Sequence, residues 1–244
     1  MSIALVTGGN RGLGLATVRA LAQQGACVIL TAREEAKAEQ TAAQLRAESL
    51  DVQGLRLDVT SLASIATAVE RVTQAQGRLD VLINNAGVLP EATDTSEHDF
   101  ASLDMFQQTF STNLFGAVAV TEAFLPLLRR SAMGRIVNVS TTMGSLTDQA
   151  DPHSPYYQLI VPAYQSSKAA LNSVTISLAK KLVDTHIKVT SVCPGFAQTD
   201  LTPANRDQAP TTAEEAVQVV VAAATLPENS LSGTFIDRNG SVAW

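Results

Sequence analysis

Short apolar runs, most of them continuous rather than alternating, recur at Ile3–Thr7, Cys27–Thr31, Val52–Leu57, Val81–Asn84, Arg135–Ser140, Ile187–Cys193 and Thr234–Ile236. Runs of this length predict strands covered on both faces. Between them, helical patterns span Leu13–Gln24, Glu34–Ser49 and Leu62–Ala75, the last with Ser61 where an N-cap would stand and Gly77 just past the end. Strand and helix alternate almost from end to end. That order predicts an α/β architecture, a single doubly wound (Rossmann-type) domain with a seven-stranded parallel sheet flanked by helices. No linker, charge block or repeat divides residues 1–244. Two segments dense in breakers, Leu89–Ser96 and Thr147–Pro162, read as loops, and the second is long enough to imply a function.

Composition narrows the function classes. The 244 residues are 45% hydrophobic, 16% charged and 5% aromatic, which is globular and excludes disorder. Lys and Arg number 17 against 23 Asp and Glu, a net charge of −6. That balance lacks the basic footprint of a nucleic-acid partner or of an anionic membrane surface. The longest nearly apolar stretch, Ala216–Leu226, is broken by Gln218 and is short for a bilayer. Met1-Ser2-Ile3 enters the first strand with no basic leader, so a cytoplasmic location is expected. Cys27 and Cys193 cannot form a disulfide framework and read as small buried hydrophobes. His98, His153 and His186 show no metal-ligand spacing, and no metal is expected.

Thr7-Gly8-Gly9-Asn10-Arg11-Gly12-Leu13-Gly14 joins the first strand to the first helix. Glycines in such a turn let backbone approach a pyrophosphate, and the helix N-terminus offers it unpaired N–H groups. The residues about twenty positions on discriminate between nicotinamide cofactors, because a carboxylate there binds the ribose hydroxyls of NAD and an arginine accommodates a 2′-phosphate. The second strand ends Thr31-Ala32-Arg33, with no acid before Glu34, and Arg11 lies in the glycine loop itself. Two guanidinium groups make a phosphate clamp and point to NADP(H). Cofactor residues then occupy about 1–133, and catalytic and substrate residues about 134–244. Asp58, after the third strand, is suited either to the adenine amino group or to a turn.

Tyr164 and Lys168 are spaced i, i+4 and share one helix face with Leu171, Thr175, Leu178 and Leu182. An inward lysine needs partners, and its ammonium would lower the tyrosine pKa toward a value useful for proton exchange. Ser140 ends a strand on the side where parallel sheets hold ligands, with Thr141 and Thr142 as alternatives for orienting a substrate oxygen. Asn113 lies at the start of the apolar stretch Phe110–Leu128, where a buried amide needs a partner.

Glycines at 8, 12 and 14 give TGxxxGxG, followed in order by Asp58, Asn84-Asn85-Ala86-Gly87, Asn113, Ser140, Tyr164-x-x-x-Lys168 and Pro194-Gly195 with Thr199. Across essentially its whole length the chain resembles the short-chain dehydrogenase/reductase family. The resemblance implies that Asn113, Ser140, Tyr164 and Lys168 are catalytic. Lys168 would also bond the nicotinamide ribose, and Asn113 would either hold a relay water or simply join two helices. Cofactor contacts are expected at Gly8, Asn10, Arg11, Gly12, Leu13, Gly14, Arg33, Asp58, Val59, Asn85, Ala86, Gly87, Pro194, Gly195 and Thr199, with the Asn84 amide also lining the cofactor.

The stretches from Ala4, Leu30 and Cys193, and the terminal Trp244, look most like the carbonyl-reductase branch. That implies NADPH-dependent reduction of ketones, aldehydes or quinones. The competing readings are a 3-oxoacyl-thioester reductase and a non-catalytic NADP(H)-binding regulator. Ser140 and Tyr164 must meet, yet 23 residues separate them. The segment Thr147–Val161 is therefore expected to wall a substrate mouth with Tyr156, Tyr157 and Leu159 opposite Leu89, Phe196 and Leu201. It could instead pack on neighbouring helices for stability alone. Its intermediate length leaves monomer and homo-oligomer both open.

Overall fold

In the computed structural model, which describes residues 1–244, eight strands form one sheet in the order β3-β2-β1-β4-β5-β6-β7-β8. These are β1 Ile3–Val6, β2 Cys27–Ala32, β3 Val52–Arg56, β4 Val81–Asn84, β5 Arg135–Val139, β6 Lys188–Val192, β7 Thr234–Asp237 and β8 Gly240–Ser241. The first seven pair parallel and match the expected positions to within a residue or two. The expected count of seven is corrected to eight. The extra strand is a two-residue edge, Gly240–Ser241, that turns back antiparallel on β7 and is too short to carry a hydrophobic pattern.

Alternation along the strands feeds two cores. Ala4, Val6, Val28, Leu30, Ile83 and Val137 face α1 (Gly12–Gln23), α2 (Glu35–Ala47) and the helix Gln218–Ala224. Leu5, Ile29, Leu82, Ile136 and Val189 face α3 (Leu62–Gln76), α5 (Ala117–Leu128) and α7 (Pro162–Lys181). Helix α3 starts and stops as its sequence predicts: the Ser61 hydroxyl accepts from Ser64 N, and Gly77 ends the helix in the left-handed region at φ 70°. The layers shut at the N-terminal edge of the sheet on Arg135, whose buried guanidinium donates to the carbonyls of Leu226, Gly134 and His186.

Helix α4 (Leu103–Phe110) runs through a π-turn, Ser111–Gly116, directly into α5. The combined Leu103–Leu128 helix is long and apolar enough to cross a membrane by those two measures, longer than the apolar stretch expected from the sequence. Its Val120, Phe124, Leu127 and Leu128 are claimed by the core under the sheet.

Candidate active site

The glycine loop is shaped by what a side chain would hit. Gly12 sits at φ 51°, and a Cβ on Gly14 would lie 2.2 Å from the Gly8 carbonyl oxygen and 2.6 Å from the Asn85 amide nitrogen. Only glycine permits that approach of helix α1 to the turn. Arg11, exposed, is the N-cap residue of α1 and offers no side-chain cap, so the first N–H groups of the helix stay free for an anion.

Asn85, expected to touch the cofactor, has its side chain engaged within the loop: Nδ2 donates to the carbonyls of Thr7 and Gly8 at 2.8 and 3.2 Å. Thr7 Oγ1 in turn accepts from the backbone N–H of both Asn85 and Ala86 at 2.9 Å. Ala86, Gly87, Asn10 and Leu13 lie half-buried on this rim, and Thr199 reaches it too, with its Cβ 3.3 Å from where a Gly12 Cβ would sit. Gly195 turns at φ 80° beside half-buried Pro194.

A cluster of charge marks the end of β2. Arg33 is exposed, and its carbonyl accepts from Arg56 Nε at 3.2 Å, which brings a third guanidinium, not anticipated from the sequence, beside Arg33. The signal was available in the alternation of β3, where Arg56 is the outward residue between buried Leu55 and Leu57. Asp58 Oδ1 accepts from the N–H and hydroxyl of Thr60, so the turn role is realised. Burial pushes the Asp58 carboxyl upward, but the two Thr60 bonds and the charges of Arg33 and Arg56 leave it below the usual range. Val59 is buried in the core beneath it.

Of the residues expected to be catalytic, Ser140, Tyr164 and Lys168 come together at the end of β5. Lys168 Nζ donates to the Val139 carbonyl at 2.7 Å, next to Ser140, and lies 5.7 Å from the ring of Tyr164. Both side chains are buried, as is Ser140, whose hydroxyl has no partner. Its two alternatives are occupied: Thr141 Oγ1 caps the following turn at Met143 N, and Thr142 Oγ1 accepts from the Cys193 thiol at 3.7 Å. Ser140 is thus the hydroxyl left free for a ligand.

Burial pushes the Lys168 ammonium down to about 8, with Cys193 opposing that shift. Burial also pushes the Tyr164 phenol well above its ordinary value, and Cys193 adds to this. The expected lowering by Lys168 is not seen in the protein alone: burial sets the direction, and the ammonium is not among the groups that shift the phenol. Its raised value keeps the phenol protonated.

Asn113 sits inside the π-turn, a helical irregularity frequent at functional sites. Its Oδ1 accepts from Val88 N at 2.8 Å, while Nδ2 donates to Val88 O at 3.0 Å and to Ser167 Oγ at 3.2 Å. A Cβ on Gly87 would lie 3.5 Å from Asn113 Oδ1 and 3.7 Å from Lys168 Nζ, so glycine keeps the space between them open.

Asn84, expected to line the cofactor, has its amide nitrogen engaged within the fold and its buried Oδ1 without a partner. Nδ2 donates to Thr121 Oγ1 and Asn138 Oδ1, and Asn138 Nδ2 donates to Thr175 Oγ1, itself 2.8 Å from Ser191 Oγ. Asn84, Asn138 and their β6 neighbour Ser191 are directly paired across β4, β5 and β6, so their side chains meet beneath α5 and α7. Sequence reasoning also missed Glu91, whose carboxylate accepts from Ala163 N and Tyr164 N at 2.9 and 2.8 Å. Its signal was negative: α7 begins Val161-Pro162 with no capping residue of its own.

In the segment Thr147–Val161, the first part is a short helix, α6 (Leu146–Ala150), tied by Thr147 N and Oγ1 to the carbonyl of Trp244. The far end is held to α7 through Gln165, which donates to Leu159 O and accepts from Val161 N. Tyr156 is half-buried, while Tyr157, Leu159, Phe196 and Leu201 leave much of their apolar surface open.

A doubly wound sheet, a glycine loop at its first turn and a buried Ser, Tyr and Lys set define a nucleotide-dependent oxidoreductase. The family description "short chain dehydrogenase" matches residues 2–210, and the chain belongs to that family. It is 32% identical to the (+)-neomenthol dehydrogenase of Capsicum annuum, over 96% of this chain and 95% of that one. It is also 32% identical to the 3-oxoacyl-acyl-carrier-protein reductase FabG of Pseudomonas aeruginosa, over 82% of this chain and 75% of that one. Among solved structures, the NADPH-bound carbonyl reductase from chicken fatty liver superposes with a TM-score of 0.85 at 28% identity, covering all of both chains.

Proposed function

We propose that this dehydrogenase is an NADPH-dependent reductase of small carbonyl compounds, ketones and aldehydes foremost and quinones by the same chemistry. The observation that carries the reading is the free, buried Ser140 hydroxyl, beside a lysine that sits against a protonated tyrosine. When bound, the reduced nicotinamide supplies the hydride. All proton movement then falls to the chain. Ser140 and Tyr164 donate hydrogen bonds to the substrate oxygen, and Tyr164 passes its proton there as the carbonyl becomes an alcohol. Lys168 stabilises the phenolate left behind, and the opening at Gly87 between Lys168 and Asn113 suits a water that returns the proton.

The preference for NADPH rests on Arg33 and Arg56, side by side at the end of β2, together with Arg11 in the glycine loop. A 2′-phosphate would meet two or three guanidinium groups there, and Asp58 is already engaged with Thr60. The substrate wall is proposed from Tyr156, Tyr157, Leu159, Phe196 and Leu201, whose open apolar surface favours hydrophobic carbonyls. An acyl-carrier substrate is disfavoured because Arg206, the one cation between Thr199 and the next long helix, is paired with Asp200 at 2.8 Å. A cytoplasmic location accompanies this reading, supported by two free, buried cysteines.

The test is oxidation of NADPH and NADH against a carbonyl panel that includes an acetoacetyl thioester. Tyr164→Phe should keep cofactor binding and lose at least about 10²-fold in kcat. Full activity in that variant would overturn the mechanism. Turnover of the thioester alone would move the protein to acyl-chain reduction, and no turnover of any member would favour a regulator.

A further inference from the structure

We infer that Glu91, on the loop after β4, is a positioning residue that fixes the proton donor from outside its own helix. The inference rests on the reading of Tyr164 as that donor. Helix α7 starts at Pro162, and Val161 before it has no side chain able to accept, so the N–H groups of Ala163 and Tyr164 have no local partner. The two oxygens of Glu91 accept one each, at 2.9 and 2.8 Å, across more than seventy residues of sequence. A carboxylate at the positive end of a 20-residue helix is favoured twice, by the charge-assisted bonds and by the helix dipole.

The same loop holds the other end of the Tyr164 peptide. Ser167 Oγ donates to the Tyr164 carbonyl at 2.8 Å and accepts from Asn113 Nδ2 at 3.2 Å. Asn113 is bonded in both directions to Val88, three residues before Glu91. The backbone of Tyr164 is thus bracketed, its N–H by Glu91 directly and its carbonyl by Ser167, Asn113 and Val88. One short loop, Gly87–Glu91, sets where the phenol stands. Displacements of about 1 Å in such a geometry are enough to cost turnover without touching a reacting atom.

Two variants test it. Glu91→Ala removes both acceptors, and Glu91→Gln keeps one carbonyl oxygen. In Glu91→Ala, kcat for carbonyl reduction should fall about tenfold while the Kd for NADPH stays within about twofold. Glu91→Gln should recover part of the lost turnover. Hydrogen exchange at the Ala163 and Tyr164 amides should quicken in Glu91→Ala, with Leu171–Ala179 unchanged. If those amides lose protection and kcat does not move, the positioning role is wrong. A parallel loss of kcat, NADPH affinity and protection along all of α7 would likewise reduce Glu91 to a structural brace. Should Glu91→Ala fail to fold, the same readouts on Glu91→Gln decide. Failure of the donor reading shows separately, as equal turnover in wild type and Tyr164→Phe. Failure of the positioning role shows as Tyr164-dependent turnover that survives Glu91→Ala.

Discussion

The two ends of the sheet solve the same packing problem with different materials. Around β1, β2 and β3, both faces are lined by aliphatic side chains such as Val6, Val28, Leu30, Ile29 and Leu55. Across β4, β5 and β6, one face carries the buried Asn84, Asn138 and Ser191, and with Thr175 of α7 they form a hydrogen-bonded row. Aliphatic packing is indifferent to small rotations, whereas a hydrogen-bonded row is satisfied in one register only. The apolar end need only support a loop whose own glycines define its shape. The polar end must hold Ser140, just past β5, and Tyr164 and Lys168, on α7, at fixed distances. Specificity of geometry is what the polar row adds, at the cost that every member depends on its neighbours.

The largest effect expected from breaking this contrast lies at the apolar end. Gly14→Val would drive a Cβ into the Gly8 carbonyl, which no packing adjustment in α1 can absorb. Calorimetry should find no NADPH binding while far-ultraviolet circular dichroism still reports a folded α/β chain. Retained affinity would mean that the loop is more plastic than its contacts indicate.

Next comes the row itself. Asn138→Leu removes one partner each from the Asn84 amide, which keeps Thr121, and from the Thr175 hydroxyl, which keeps Ser191 and the Leu171 carbonyl, and should lower unfolding stability by about 2 kcal/mol. Adding Thr175→Val should cost less than it does in the wild type, since its bond to Asn138 is already gone. Additive losses in the denaturant midpoints would show that the row acts as separate contacts.

A smaller effect follows from Lys168. Its folded value near 8 lies below its ordinary 10.5, so between those two pH values the unfolded chain binds the proton that the folded one has released. Stability therefore gains from this group as pH rises from about 8 to 10.5, and the penalty of the buried ammonium is fully present below 8. Lys168→Met should remove that gain, be no less stable than wild type at pH 7, and lose reductase activity. Thermal melts of both proteins at pH 7 and 9 check the sign, and a wild-type midpoint insensitive to this change would break it.

The smallest effect belongs to the exposed arginines. Arg33→Asp should shift the NADPH/NADH ratio of kcat/KM toward NADH by about tenfold, roughly one surface charge-assisted contact. Arg56→Ala should move it in the same direction and less. An unchanged ratio in both would leave Arg11 as the reader of the phosphate.

Much of this was legible in the chain. The seven parallel strands announced themselves because each is a compact apolar run between breakers, and α3 because Ser61 and Gly77 punctuate it. Tyr164 and Lys168 were legible because their spacing alone places them on one helix face. What escaped was long-range. Asn84 looks like a strand-end residue suited to a ligand until the register pairs it with Asn138 across β4 and β5. Glu91 and Arg56 look like ordinary surface charges until the fold brings them to the first turn of α7 and to Arg33. Sequence spacing reports neighbours along one element, and these residues act between elements.

The π-turn at Ser111–Gly116 has a consequence for how this helix can vary over descent. Such a turn holds one residue more than an α-turn, and each residue advances a helix by about 100°. Upstream, Phe106 stacks on Phe110 with ring centroids 5.9 Å apart; downstream, Val120 and Phe124 fill the core. Those two faces are set in phase by the surplus residue. Losing one residue here would regularise the helix and raise its local stability, yet rotate α4 against α5 and carry Asn113 away from Val88. A lineage that keeps Asn113 in service is therefore bound to keep an irregularity that helix propensity alone would remove.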